Sequence, residues 1–123
     1  MNIHIRRAAL ASALTFGLVG HASAHAHLKA AAPSIDGTVA SAPTELDLTF
    51  SEGVNPKFSG VKVTGPGGAA VPLGEAKLGP AGDKALVVPV SGTLSPGPYK
   101  VEWHTLAIDG HKTEGSYTFT VKP

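Results

Sequence analysis

Apolar and polar positions alternate in short runs along most of this chain. In Glu45-Leu-Asp-Leu-Thr-Phe50, the residues Leu46, Leu48 and Phe50 fall on one face, the period of two that marks a half-buried strand. Tyr99, Val101, Trp103 and Thr105 share a face in a later run, as do Tyr117, Phe119 and Val121 near the end. Val61 and Val63 make a shorter run, residues 85–90 a more continuously buried one, and residues 28–32 a first short strand. The gaps carry turn chemistry: Asp36-Gly37, Gly65-Pro-Gly-Gly68, Gly79-Pro-Ala-Gly82 and Ser95-Pro-Gly-Pro98. Beyond residue 24 no segment of helix length has a period of 3.6, and prolines this frequent would break one. The pattern predicts an all-β domain of about seven short strands in ~100 residues, a Greek-key β-sandwich or barrel. Its aromatic and valine stripes are accounted for by a core.

The first residues follow a different rule. Arg6 and Arg7 give a short positive start, and residues 8–19 are apolar apart from Ser12, Thr15 and Gly17. That stretch falls short of the ~20 apolar residues of a membrane span. Ala22-Ser23-Ala24 then has the small-x-small form at which a signal peptidase cuts. The alternative is an N-terminal helix of a cytosolic domain, which does not explain the charged start, apolar centre and cleavage site together. The residues around the Arg-Arg pair fit a twin-arginine signal poorly, so Sec export is expected. The segment 1–24 is therefore read as a signal peptide, 25–123 as the mature domain, and the location as periplasmic. Ala24-His25-Ala26 is a second small-x-small site, and cutting there would make His27 the first residue. Either cut leaves a terminal histidine.

Composition narrows the chemistry. There is no cysteine, which removes disulfides and thiolate metal sites, and the one methionine is Met1. Residues 25–123 hold eight Lys, no Arg and nine Asp plus Glu, with no basic run. Nucleic acid and anionic membrane surfaces are thereby excluded as partners. No internal repeat or low-complexity linker occurs.

Cleavage before His25 would place a free α-amine beside its imidazole, and those two nitrogens can close a chelate ring on one metal ion. A second concentration of chemistry is Trp103-His-Thr-Leu-Ala-Ile-Asp-Gly-His-Lys-Thr-Glu-Gly115. Asp109 and His111 stand two apart, so in extended backbone their side chains point to the same side. Alone, the triplet is explained equally by a common Asp-Gly turn followed by a solvated histidine. Combined with a terminal histidine, it yields an amine, two imidazoles and a carboxylate. Such a nitrogen-rich set suits Cu(II), which the Irving–Williams order also favours, while Cu(I) would call for sulfur. Binding should weaken at low pH, because the amine and imidazoles must shed protons to ligate.

A competing geometry exists at the terminus. In His25-Ala26-His27 a histidine stands third from the free amine, so amine, two deprotonated amides and an imidazole can wrap Cu(II) or Ni(II) in a square plane. That mode needs a flexible terminus, and a strand at 28–32 would restrain it. Otherwise His27 is a solvent-facing residue beside the site. His104 follows Trp103, faces away from the core stripe and is expected to be solvated.

With these motifs together, the mature chain resembles the CopC family of periplasmic copper-resistance proteins, in its short, YobA-like form. The resemblance rests on His25-Ala-His-Leu-Lys, Ala-Pro33, Leu48-Thr-Phe-Ser-Glu-Gly-Val54 and Phe58-Ser-Gly60. It continues in Leu86-Val-Val-Pro-Val90, Gly97-Pro-Tyr-Lys-Val-Glu-Trp-His104 and Asp109-Gly-His-Lys-Thr-Glu-Gly-Ser-Tyr-Thr-Phe119. It implies a Greek-key barrel of cupredoxin-like or immunoglobulin-like type and one Cu(II) site formed by His25, Asp109 and His111. Glu52 matches a family glutamate near the copper, as a hydrogen-bond acceptor or weak ligand, or is simply a turn residue. The methionine-rich Cu(I) site of some members has no counterpart in this chain.

The function expected is copper carriage, buffering or resistance without catalysis, with an inner-membrane copper transport protein as the implied partner. Two rivals belong to other classes. A copper oxidase or monooxygenase can also use a terminal histidine, but a directly ligating carboxylate disfavours the Cu(I) state of such chemistry. A plain immunoglobulin-like structural module would bind Cu(II) weakly and be indifferent to Asp109→Ala and His111→Ala.

Overall fold

The computed structural model describes residues 26–123. The strands are β1 (Leu28–Ala32), β2 (Thr38–Val39), β3 (Glu45–Phe50), β4 (Gly60–Thr64), β5 (Lys77–Gly79), β6 (Gly82–Pro89), β7 (Gly97–Leu106) and β8 (Lys112–Val121). Two short 3-10 turns, Pro56–Phe58 and Pro66–Gly68, complete the regular structure. There is no α-helix among the described residues, in keeping with the missing 3.6 period.

The strands form two four-stranded sheets, ordered β1-β3-β6-β5 and β2-β8-β7-β4. All neighbours are antiparallel except β2 and β8, which run parallel. The chain changes sheet at every connection except β5–β6 and β7–β8. The architecture is the anticipated sandwich, with eight strands in place of about seven. The two strands without a sequence forecast, β2 and β5, have two and three residues, too short for a period to register.

The alternating runs build the core. Leu46, Leu48 and Phe50 of β3, Leu86 and Val88 of β6, and Tyr99, Val101, Trp103, Thr105, Tyr117, Phe119 and Val121 of β7 and β8 are buried. Phe50 meets Trp103 edge-on across the two sheets, their centroids 5.1 Å apart at 67°. Tyr99 stacks on Phe119 at 5.2 Å, and its hydroxyl donates to the Ser95 carbonyl. Residues 85–90 differ from expectation. Leu86 and Val88 are buried, but Ala85 and Val87 are only half-buried and Pro89 is exposed. On this side of β6 the neighbouring β5 comes close, and a Cβ on Gly79 would stand 3.2 Å from the side chains of Ala85 and Val87.

The longest contact is the β7–β8 hairpin, paired from Gly97↔Val121 to Leu106↔Lys112. It carries the Asp109–His111 segment to one end of the sandwich. β1 lies at the edge of the other sheet, paired with β3, and brings the start of the described chain to the same end.

Candidate metal centre

The loop between β7 and β8 is a tight turn of defined type. Gly110 N–H donates to the Ala107 carbonyl at 2.9 Å and Ala107 N–H to the His111 carbonyl at 2.8 Å. This is a three-residue hairpin loop closed by a left-handed residue, and Gly110, at φ 94°, takes that position without a Cβ penalty. The loop is anchored to the β3–β4 connection through Ile108 N–H to the Gly53 carbonyl at 3.0 Å and a bridge between Val54 and Ala107.

Within that turn Asp109 and His111 face each other. Asp109 Oδ1 accepts from His111 N–H at 3.0 Å, and Oδ2 lies 3.1 Å from His111 Nδ1. The sequence forecast the juxtaposition by extended alternation; the cause is instead a turn in which a carboxylate caps the amide two residues on. A carboxylate beside Nδ1 is the arrangement that orients an imidazole for metal ligation. Both side chains are roughly half exposed, at 40% for Asp109 and 52% for His111. At that exposure such a pair adds less than ~1 kcal/mol to stability. Its main effect is to fix ring orientation.

The second half of the arrangement is the entry of the chain. Ala26 is fully buried, and its carbonyl accepts from Thr113 Oγ1 at 2.6 Å. Thr113, two residues past His111, shares a further hydrogen bond with the buried Thr105 at 2.8 Å. On the other side, His27 N–H donates to Ser51 Oγ at 3.1 Å, and Ser51 N–H donates to the His27 carbonyl at 2.9 Å. The peptide unit joining Ala26 to His27 is thus held at its oxygen by β8 and at its nitrogen by the residue that follows β3. The Ser51 hydroxyl also hydrogen-bonds His27 Nδ1 at 3.1 Å.

The expected ligands fall out as follows. Asp109 and His111 are brought together. His25 lies outside the described residues, as does the whole 1–24 segment. His27 and Glu52 are exposed and do not join Asp109 and His111 as a cluster, since no group of three or more His, Cys, Asp or Glu able to hold a metal occurs among the described residues. His27, Ser51, Asp109 and His111 each take part in a further interaction beyond those above. His104 is exposed as expected, its ring lying across Gly60, where a Cβ would stand 3.0 Å from Cε1. Thr113 and Ser51 were not foreseen: isolated hydroxyl residues carry no periodic or motif signal that marks a clamp.

The donor chemistry fits a borderline divalent ion. One imidazole and one carboxylate are adjacent, and Ala26 is fastened to Thr113, two residues past His111 along β8.

A model of the CopC domain matches residues 28–122. Protein YobA of Escherichia coli K12 is 46% identical over 99 residues, covering 80% of each chain. Among solved structures, CopC from Methylosinus trichosporium OB3b superposes with a TM-score of 0.74 at 34% identity, over 80% of this chain and 95% of that one. PcoC, a methionine-rich copper resistance protein from Escherichia coli, superposes at 0.73 with 38% identity, over 80% of this chain and all of its own.

Proposed function

Since this chain belongs to the CopC family, whose members are copper-binding and copper-resistance proteins and not enzymes, we propose that it carries one Cu(II) ion at the hairpin end of the sandwich. The ligands are the α-amine and imidazole of His25, exposed by cleavage after Ala24, with Asp109 and His111. The location is the periplasm, and the role is carriage, buffering or resistance, with an inner-membrane copper transport protein as the receiving partner.

One observation carries this reading: the Ala26 carbonyl is fastened by Thr113, two residues from His111 and in the strand that leaves the Asp109–His111 turn. A residue bonded directly to Ala26 has only one virtual bond of reach, about 3.8 Å between Cα atoms. A terminal chelate there meets a carboxylate and an imidazole that already face each other. The carboxylate offsets part of the dication's charge, and the sulfur-free donor set favours Cu(II) over Cu(I).

The test is competition titration of Cu(II) against the protein recovered from the periplasm with His25 verified as its first residue. A variant carrying one additional residue before His25 should bind at least tenfold more weakly, because the added peptide takes the amine out of the chelate. Asp109→Ala and His111→Ala should each weaken binding by a similar factor. Equal affinity in the extended protein would overturn the terminal chelate.

A further inference from the structure

We infer that Ser51 determines which of two copper geometries the terminus adopts. The inference rests on the His25 terminal-amine reading above and adds a residue that this reading does not use. A terminal His-Ala-His segment offers an alternative plane of four nitrogens: the amine, the amides of residues 26 and 27, and Nδ1 of His27. That plane accommodates Cu(II) and Ni(II) alike, since both accept square-planar nitrogen ligation. The Ser51 hydroxyl engages two of the four atoms. It accepts from the His27 amide at 3.1 Å and hydrogen-bonds His27 Nδ1 at 3.1 Å.

The remaining contacts act in the same direction. The Ser51 amide holds the His27 carbonyl, and Thr113 holds the Ala26 carbonyl, so the peptide between them has a fixed orientation. Turning its nitrogen toward a terminal metal would break the Thr113 and Ser51 bonds together. Strand β1 begins at the next residue, Leu28, and leaves no slack on that side. Ser51 is therefore a positioning residue. It withholds His27 from the wrapped plane and leaves the ion to the Asp109–His111 turn, which discriminates against Ni(II).

The experiment uses processed protein from the periplasm, loaded with one equivalent of Cu(II) or of Ni(II), and reads visible absorption and, for copper, electron paramagnetic resonance. In Ser51→Ala the Cu(II) d–d maximum moves to shorter wavelength and a yellow, diamagnetic Ni(II) species forms that the native protein lacks. Ser51→Thr, which keeps the hydroxyl, retains the native spectra. The double variant Ser51→Ala, His27→Ala loses both new signals. Thermal melts of the metal-free proteins verify that each variant folds. Native-like Ser51→Ala spectra would overturn the role of Ser51 and leave the Asp109–His111 site standing. New signals that survive removal of His27 would overturn it too. If the native protein already shows the four-nitrogen spectrum, altered by His27→Ala but not by Asp109→Ala, both readings fall.

Discussion

Tyr117 sits in the core with its hydroxyl buried and, among the described residues, without a hydrogen-bond partner; Asp47 Oδ1 is in the same condition. Burial, and after it the charge of Asp47, push the phenol up from 10.0 to about 12. The unfolded phenol ionises near 10.0, so below that pH the group leaves stability unchanged. Between 10 and about 12, unfolding releases a proton that the native state retains, and stability falls as pH rises. Urea midpoints measured from pH 8 to 12 should drop more steeply for the native protein than for Tyr117→Phe, which at neutral pH should be as stable or slightly more so. A steric constraint lies one strand away. Trp103 faces Gly115 across the hairpin, and a Cβ on Gly115 would come within 2.5 Å of the Trp103 ring. Gly115→Ala should cost about 1–3 kcal/mol by overpacking and shift the Trp103 fluorescence. The inward face of Trp103 was legible from its period of two. Its glycine partner was not, because cross-strand register is absent from a one-dimensional pattern.

At the level of elements, the end of the β7–β8 hairpin is joined to the segment entering β1 through Thr113 and the Ala26 carbonyl. Thr113→Val removes the hydroxyl that holds the Ala26 carbonyl while keeping the shape of the side chain. The expected loss is about 1–2 kcal/mol in stability, for a carbonyl left without its donor. Cu(II) affinity should fall as well, while Asp109 and His111 keep their own contact, and competition titration alongside thermal melts separates the two effects. The strands with strong alternation, β3, β7 and β8, were readable because one face of each is fully covered. Residues 85–90 of the β6 region are less continuously buried than their composition implied, since a run of Leu, Val and Ala looks the same whether its outer side is covered or half-open. The Asp109–His111 pairing was anticipated for a different reason from the real one. Alternation in a strand and a glycine-closed turn both bring residues two apart together, and the Asp-Gly sequence is compatible with either.

On the scale of the molecule, the proposed centre ties the first described residues to the last two strands. An ion held there binds the native state alone, so free Cu(II) at a hundred times the dissociation constant should add about 2.7 kcal/mol. For a domain of this size that corresponds to a rise of roughly 10–20 °C in melting temperature. Calorimetry should find it in the processed protein and not in one extended before His25. The burial of Ala26 has another consequence, for resistance to exopeptidases. An exopeptidase must draw the first few peptide units into an extended, open conformation before it can cut. Here the Ala26–His27 unit is gripped from both sheets and Ala26 has no exposed surface, so trimming inward should stall at this unit. Incubation with an aminopeptidase should therefore trim Thr113→Val past Ala26 well before it does so in the native protein.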